Sequence, residues 1–269
     1  MRKSNPRPIA FVVASSNHGT MIVNRNDYHA GGSETIGVGH QILTTSSFDQ
    51  AEVDFVLNCL QERRRLYGDG VVALDCGANI GVHAIEWAQL MTGWGVVLAF
   101  EAQERIFYAL AGNIAINNCF NARAVWAAIG STLGSIRVPS PNYLVPSSFG
   151  SLEIRPSDKN EFIGQRIDYS DQATLETRML SIDAMNLPRV DFVKVDIEGM
   201  EVEALEGAMA TVRRHKPQLL IERLKSDEKS LASMLEREGY RIFPMGLNLL
   251  AIHDSDQTHT KIVRNPAAP

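Results

Sequence analysis

The chain has 269 residues, 45% hydrophobic and 21% charged, a balance that can bury a sizeable core and that excludes a disordered polymer. Its net charge of −5, without a long run of one sign, does not indicate a basic nucleic-acid-binding surface. Cys59, Cys76 and Cys119 are odd in number and widely spaced, so they form neither a zinc pattern nor a disulfide frame. Free thiols, a 9–15 apolar stretch too short for a secretory signal, and no apolar run near the ~20 residues that span a bilayer lead us to expect a soluble cytoplasmic protein without membrane partners.

In chain order, residues 1–20 read as a tail or a loosely attached strand, and 21–45 as short strands and turns. Ser47 and Gln50 have capping-box spacing. The stripe Val53, Val56, Leu57 and Leu60 then predicts a helix. From Val71 strands and helices alternate. Apolar runs at 71–75 and 96–101 each end in an acid. Ile106, Leu110 and Ile114 keep helical spacing, and 122–129 reads as a third strand. A strand is expected at 191–196, then one helix through Val202, Leu205, Met209 and Val212, stopped by Pro217. A strand at 218–222, a helix on Leu231, Met234 and Leu235, and a hairpin of 240–245 with 249–253 around Gly246 close the pattern. Repeated strand–helix units imply an α/β fold with a parallel sheet and helices on both faces. We expect an N-terminal part, 1–66, packed on a central domain, 67–256, with a tail at 257–269. The interval 131–176, with Pro139, Pro141, Pro146 and Pro156, breaks the rhythm and is expected to be an inserted hairpin or lid.

Chemistry concentrates at Leu74-Asp75-Cys76-Gly77-Ala78-Asn79-Ile80-Gly81, between a strand and a helix. Glycine lets a ligand approach the backbone, and the helix start offers unpaired N–H groups. A dinucleotide fingerprint would be GxGxxG; here the spacing is Gly77-x-x-x-Gly81. Asp75 is awkward beside a pyrophosphate and suits the cationic amino group of S-adenosylmethionine (SAM). Glu101, ending the next strand, can accept hydrogen bonds from both hydroxyls of a ribose, a role common to SAM and NAD sites. The bland alternative is an ordinary strand-to-helix turn.

These segments, with Val82-His83, Phe100-Glu101, Phe192-Val-Lys-Val-Asp-Ile-Glu-Gly-Met-Glu201 and Leu219-Leu-Ile-Glu222, resemble the FkbM methyltransferase family, over roughly residues 21–253. The resemblance implies a Rossmann-like class I methyltransferase: a mostly parallel seven-stranded sheet flanked by helices, with a C-terminal antiparallel hairpin. It implies SAM as donor and, usually, transfer to an oxygen of a sugar, polyketide or related small metabolite. Asp75, Gly77, Asn79, Gly81 and Glu101 match the family's cofactor positions, and Ala78 shares their turn. Asn113 and Asn117 stand where similar proteins carry polar residues; helix surface and C-cap are the alternative. His83 is expected to contact SAM or the acceptor, or to be a partly buried histidine.

An alcohol acceptor must lose a proton, and Asp196 is the expected base. Strand alternation puts Lys194 on the same side, to orient Asp196, hold an anion or form a buried pair. Glu198 follows in the turn and is expected, with Asp196 and Lys194, to be a catalytic residue, because acids at strand ends in this fold face the ligand crevice. Glu201 and Glu203 read as acids complementing a helix dipole. Asp196, Glu198 and Glu222 are also a conceivable divalent-cation set, although no metal is expected. The competing readings are an N-methyltransferase, an NAD-dependent oxidoreductase, disfavoured by the absent fingerprint, and a SAM-binding protein without catalysis. Oligomeric state is not legible.

Overall fold

A computed structural model describes residues 7–31 and 34–258; the expected tail beyond 258 lies outside the described residues. In chain order the elements are β1 (Phe11–Ser16), β2 (Gly19–Asn24), β3 (His29–Gly31), β4 (Glu34–Ile36), α1 (Val38–Thr45), α2 (Gln50–Tyr67), β5 (Val71–Cys76), α3 (Val82–Leu90), β6 (Gly95–Glu101), α4 (Glu104–Ile116), β7 (Ala122–Trp126), β8 (Ala128–Ile129), β9 (Gly134–Pro139), β10 (Thr174–Leu180), β11 (Phe192–Val195), α5 (Glu201–Glu206), α6 (Met209–His215), β12 (Gln218–Glu222), α7 (Glu228–Arg237), β13 (Tyr240–Met245) and β14 (Asn248–His253).

The main sheet has seven strands in the order β13-β14-β12-β11-β5-β6-β7. β5, β6, β7, β11 and β12 are mutually parallel, and β14 joins antiparallel to β12 with β13 as its hairpin partner. This is the Rossmann-like arrangement expected. The parallel strands read as nearly unbroken apolar runs because both faces are covered. One face packs under α2, α3 and α4 around Trp87, Val97 and Phe192; the other under α5, α6 and α7 around Leu205, Val212 and Leu231. No described helix is long and apolar enough to cross a membrane.

Four local expectations are corrected. The run 122–129 is two strands, because the chain changes sheets at Ala127: β8 pairs with β10, which also pairs antiparallel with β9. The helix expected over 202–212 breaks at Gly207. A Cβ there would stand 2.3 Å from the Gly130 carbonyl oxygen, so the backbones of two segments meet at this point. The capping box does not form: Asp49 is the residue before α2, in a left-handed conformation (φ 41°), and the Ser47 hydroxyl lies 3.1 Å from the Gln50 side-chain oxygen. Residues 11–24 form a hairpin rather than a loose strand. Asn113 on α4 and Asn117 just after it hold it by bonding the backbone of Ile22 and Thr20 as a neighbouring strand would.

Candidate functional site

Strand order reverses beside β5: β6 and β7 lie to one side, β11 and β12 to the other. In an open α/β sheet the ends of adjacent strands part at such a point and leave a crevice beyond their carboxyl ends. Here it widens into a cavity of about 850 Å³. Its floor comes from the ends of β5, β6, β11 and β12. Its walls come from the start of α2, the loop after β12 and the segment 148–154.

The turn after β5 is fixed by its neighbours. Gly77 has φ +85°, and a Cβ on it would lie 1.7 Å from the carbonyl oxygen of Asp196. Only glycine lets the turns after β5 and β11 touch. The amides of Gly77 and Ala78 both donate to the Phe100 carbonyl, at 3.0 and 2.8 Å. Asn79 sits at φ 50°; its amide donates to Glu101 at 3.0 Å and its side-chain oxygen accepts the Ile80 amide at 2.7 Å.

Asp75 is 1% exposed, and neither carboxylate oxygen has a hydrogen-bond partner. Burial raises its pKa, with Lys194 on the adjacent strand opposing. An unpaired buried carboxylate is costly, and a donor entering from the cavity would relieve that cost. Glu101 accepts the amides of Asn79 and Gln103, the latter at 2.8 Å, and burial pushes it up to about 7 against those bonds. Each of its oxygens keeps a further lone pair for a ligand hydroxyl.

The ammonium of Lys194 lies 2.7 Å from Asp196 Oδ2. Burial works against its charge, yet Asp196, Asp75 and Glu52 raise its pKa above the ordinary value. Lys194 is 5% exposed, whereas the Asp196 side chain keeps 35% of its surface and faces the cavity. Glu198 follows at φ 58° and takes the ammonium of Lys225 at 2.5 Å. Its pKa is raised by burial and by Asp196, against Lys225. Glu222 is pushed up to about 7 by burial and then by Asp196. Asp196, Glu198 and Glu222 bring carboxylate oxygens within 4.8 Å of one another, a hard-oxygen set that would also suit a divalent cation. Lys194 and Lys225 already supply the counter-charge to two of the three.

The cavity thus gathers Asp75, Gly77, Ala78, Asn79, His83, Glu101, Lys194, Asp196 and Glu198. Two expected cofactor residues lie apart from it. Asn113 is fully buried and spends its side chain on Ile22 and on the Ile80 carbonyl, so it ties the hairpin and the glycine turn to α4 and does not line the cavity. Gly81 instead makes room for Leu110, whose Cδ1 would lie 2.6 Å from a Cβ.

Other residues join the site through packing. Glu52 of α2 places Oε1 3.2 Å from His83 Nε2 and accepts the Asn248 amide at 2.6 Å. Despite burial, its bond to His83 and the nearby Lys194 lower its pKa. Glu201 is more than a complement to the helix dipole. It is fully buried, accepts the amides of Ile197 at 2.9 Å and Gly199 at 3.0 Å and the hydroxyl of Ser226, and so holds the turn that carries Glu198. Its spacing three residues after Glu198 was visible, but its inward orientation follows only from the packing of α5. The aromatic and aliphatic side chains of Phe48, Phe55, Leu224, Met245 and Leu247 make the outer part of the cavity apolar.

A family model described as the methyltransferase FkbM domain matches residues 75–242. The chain is 24% identical over 157 residues to "Methyltransferase sdnD" of Sordaria araneosa, covering 50% of this chain and 59% of that protein. It is 23% identical over 150 residues to "Methyltransferase 1" of Beauveria bassiana (strain ARSEF 2860), covering 52% of this chain and 59% of that protein. The chain therefore matches about three-fifths of the length of these relatives. The crystal structure of an FkbM methyltransferase from Methylobacillus flagellatus KT aligns with a TM-score of 0.47 and 22% identity, over 69% of this chain and 43% of that one. The family match runs from Asp75, near the end of β5, into the hairpin strand β13, more than half of the sequence, and the chain belongs to the FkbM methyltransferase domain family.

Proposed function

We propose that this protein transfers a methyl group from SAM to a hydroxyl oxygen of a small acceptor, such as a sugar, polyketide or related metabolite. The observation that carries the reading is Asp75: a buried carboxylate with both oxygens unpartnered, beside a glycine turn and across from Glu101. The residues fit the donor. Asp75 would accept from its ammonium group, Glu101 from its ribose hydroxyls, and the turn Gly77–Asn79 offers close backbone approach. When bound, SAM supplies an electrophilic methyl group on a sulfonium.

The chain's own part is alignment and proton removal. Asp196 takes the acceptor's hydroxyl proton. Lys194 holds one oxygen of Asp196 at 2.7 Å and leaves the other to the cavity. Glu222, with a pKa near 7, limits the negative charge that the three acids carry together. The apolar outer wall suits an acceptor with an aliphatic or ring face. Methyl-labelled SAM incubated with hydroxylated acceptors and their amine counterparts tests the reading. Label entering hydroxyl oxygens, and lost in Asp196→Asn, supports it; label entering amines alone, untouched by that change, contradicts it.

The same reading fixes a pH dependence. Burial pushes the Glu101 carboxyl up to about 7. Hydroxyl donors favour its ionised form, so binding must lower that pKa and release protons. SAM affinity should therefore rise with pH between about 5.5 and 7.5. Calorimetry in buffers of different ionisation enthalpy should show proton release, and Glu101→Gln should reduce the slope, leaving the part due to Asp75, whose pKa burial also raises. Affinity independent of pH in the wild type would remove Glu101 from the ribose contact.

A further inference from the structure

The segment 149–163 is fastened differently at its ends and in its middle. Both ends are dry. Phe149 is fully buried; its amide donates to Asp27 at 3.0 Å and its carbonyl accepts from Gln103 at 2.8 Å. Ile163 is 1% exposed, and its carbonyl accepts the Ser148 amide at 2.8 Å. Between them the chain passes over the cavity, with Leu152 and Ile154 lining it. Gly150 comes so close to the cofactor turn that a Cβ would stand 2.9 Å from Asn79 Nδ2.

Between those ends Leu152 and Ile154 are buried, Arg155 pairs with Glu203 of α5, and the Tyr169 hydroxyl bonds Glu153 and Asn160; toward the loop after β12, across the cavity, one ammonium group holds the segment at two points. Lys225, in the loop after β12, donates to the Ser151 carbonyl at 3.0 Å, to Glu161 at 2.9 Å and to Glu198 at 2.5 Å. Two separate stretches of chain meet on this nitrogen: the segment over the cavity, at two points, and the turn after β11. The Glu161 side chain keeps 40% of its surface and that of Lys225 14%, so water reaches the junction. Ion pairs open to water are weak individually, which makes this fastening easier to release than the buried anchors at Phe149 and Ile163.

We propose that Lys225 is a strap. Its contacts to Ser151 and Glu161 draw the cavity-facing edge of residues 150–162 against the loop after β12, and their rupture opens the route by which ligand enters and leaves, while Phe149, Ile163 and the Arg155–Glu203 side of the segment stay in place. Because Lys225 also holds Glu198, closure of this cover and placement of a site carboxylate are one event. The ligand part of the proposal rests on the SAM reading above; the closure itself does not.

Hydrogen–deuterium exchange of the full chain, free and with S-adenosylhomocysteine, tests it in Lys225→Met and Glu161→Gln. In the free protein, Lys225→Met should speed exchange in peptides within 150–162 by about tenfold, leaving β5, β6 and β11 unchanged, and Glu161→Gln should speed the same peptides by about threefold. S-adenosylhomocysteine should dissociate about tenfold faster from Lys225→Met than from wild type. Unchanged exchange at 150–162 in both variants overturns the strap, as does acceleration spread evenly through the sheet. Should Lys225→Met not fold, the exposed Glu161→Gln decides by the same readout. If S-adenosylhomocysteine does not bind the wild type, the cofactor reading fails and the exchange of the free protein still decides the strap.

Discussion

Replacing Asp196 with asparagine should lower methyl transfer to an authentic hydroxyl acceptor by roughly 10²–10⁴, the range a positioned general base contributes. SAM affinity should change little. Asparagine keeps the shape and leaves an oxygen for Lys194, but it cannot take a proton. Lys194 stays among the charges of Asp75 and Glu52, so the fold should persist. Single-turnover rates with a saturating acceptor, beside calorimetric SAM affinity, separate the two effects. Wild-type turnover in Asp196→Asn would move the base elsewhere, with Glu222, of pKa about 7 and facing the same cavity, as the next group to test.

Gly77→Ala should be the most damaging single-methyl change in the site. The new Cβ would fall 1.7 Å from the Asp196 carbonyl oxygen, a backbone atom that cannot rotate away. The turn must also hold a left-handed φ of +85°, which costs an L-residue about 1–2 kcal/mol before any clash. Displacing the turn strains its bonds to Phe100 and pushes β11 away from β5. A loss above about 3 kcal/mol in denaturant unfolding is expected, together with loss of SAM binding. A variant with wild-type stability and affinity would mean that the two turns are not held together as described. Gly81→Ala meets only the end of the Leu110 side chain and should be milder in stability, although its φ of +94° still strains it.

Much of the architecture was legible because a parallel sheet leaves a strong trace. Its strands are apolar on both faces, and the acids that interrupt them, Asp75, Glu101, Asp196 and Glu222, fall at or just beyond carboxyl ends, which all open on one side. What escaped depends on contacts between distant segments. The break at Gly207 exists because the Gly130 backbone passes against it, and the strand 122–129 divides because β10, some fifty residues later in the chain, draws β8 out of the main sheet. Asn113 reads as a ligand-facing amide on a helix, yet the edge of β2 takes up its hydrogen bonds. Glu52 and Lys225 carry no local pattern; packing of α2 and of the loop after β12 brings them to the cavity.

On the proposed reading, the buried carboxylate of Asp75 binds the cationic end of SAM. The direct measurement is calorimetric titration of the wild type and of Asp75→Asn with SAM, S-adenosylhomocysteine and NAD. Saturable binding of SAM and S-adenosylhomocysteine to the wild type is expected, with no response to NAD and a loss of about tenfold or more in Asp75→Asn, since a hydrogen bond to a charged group is worth about 1.5–3 kcal/mol. Binding of NAD without SAM, or unchanged SAM affinity in Asp75→Asn, would contradict that reading.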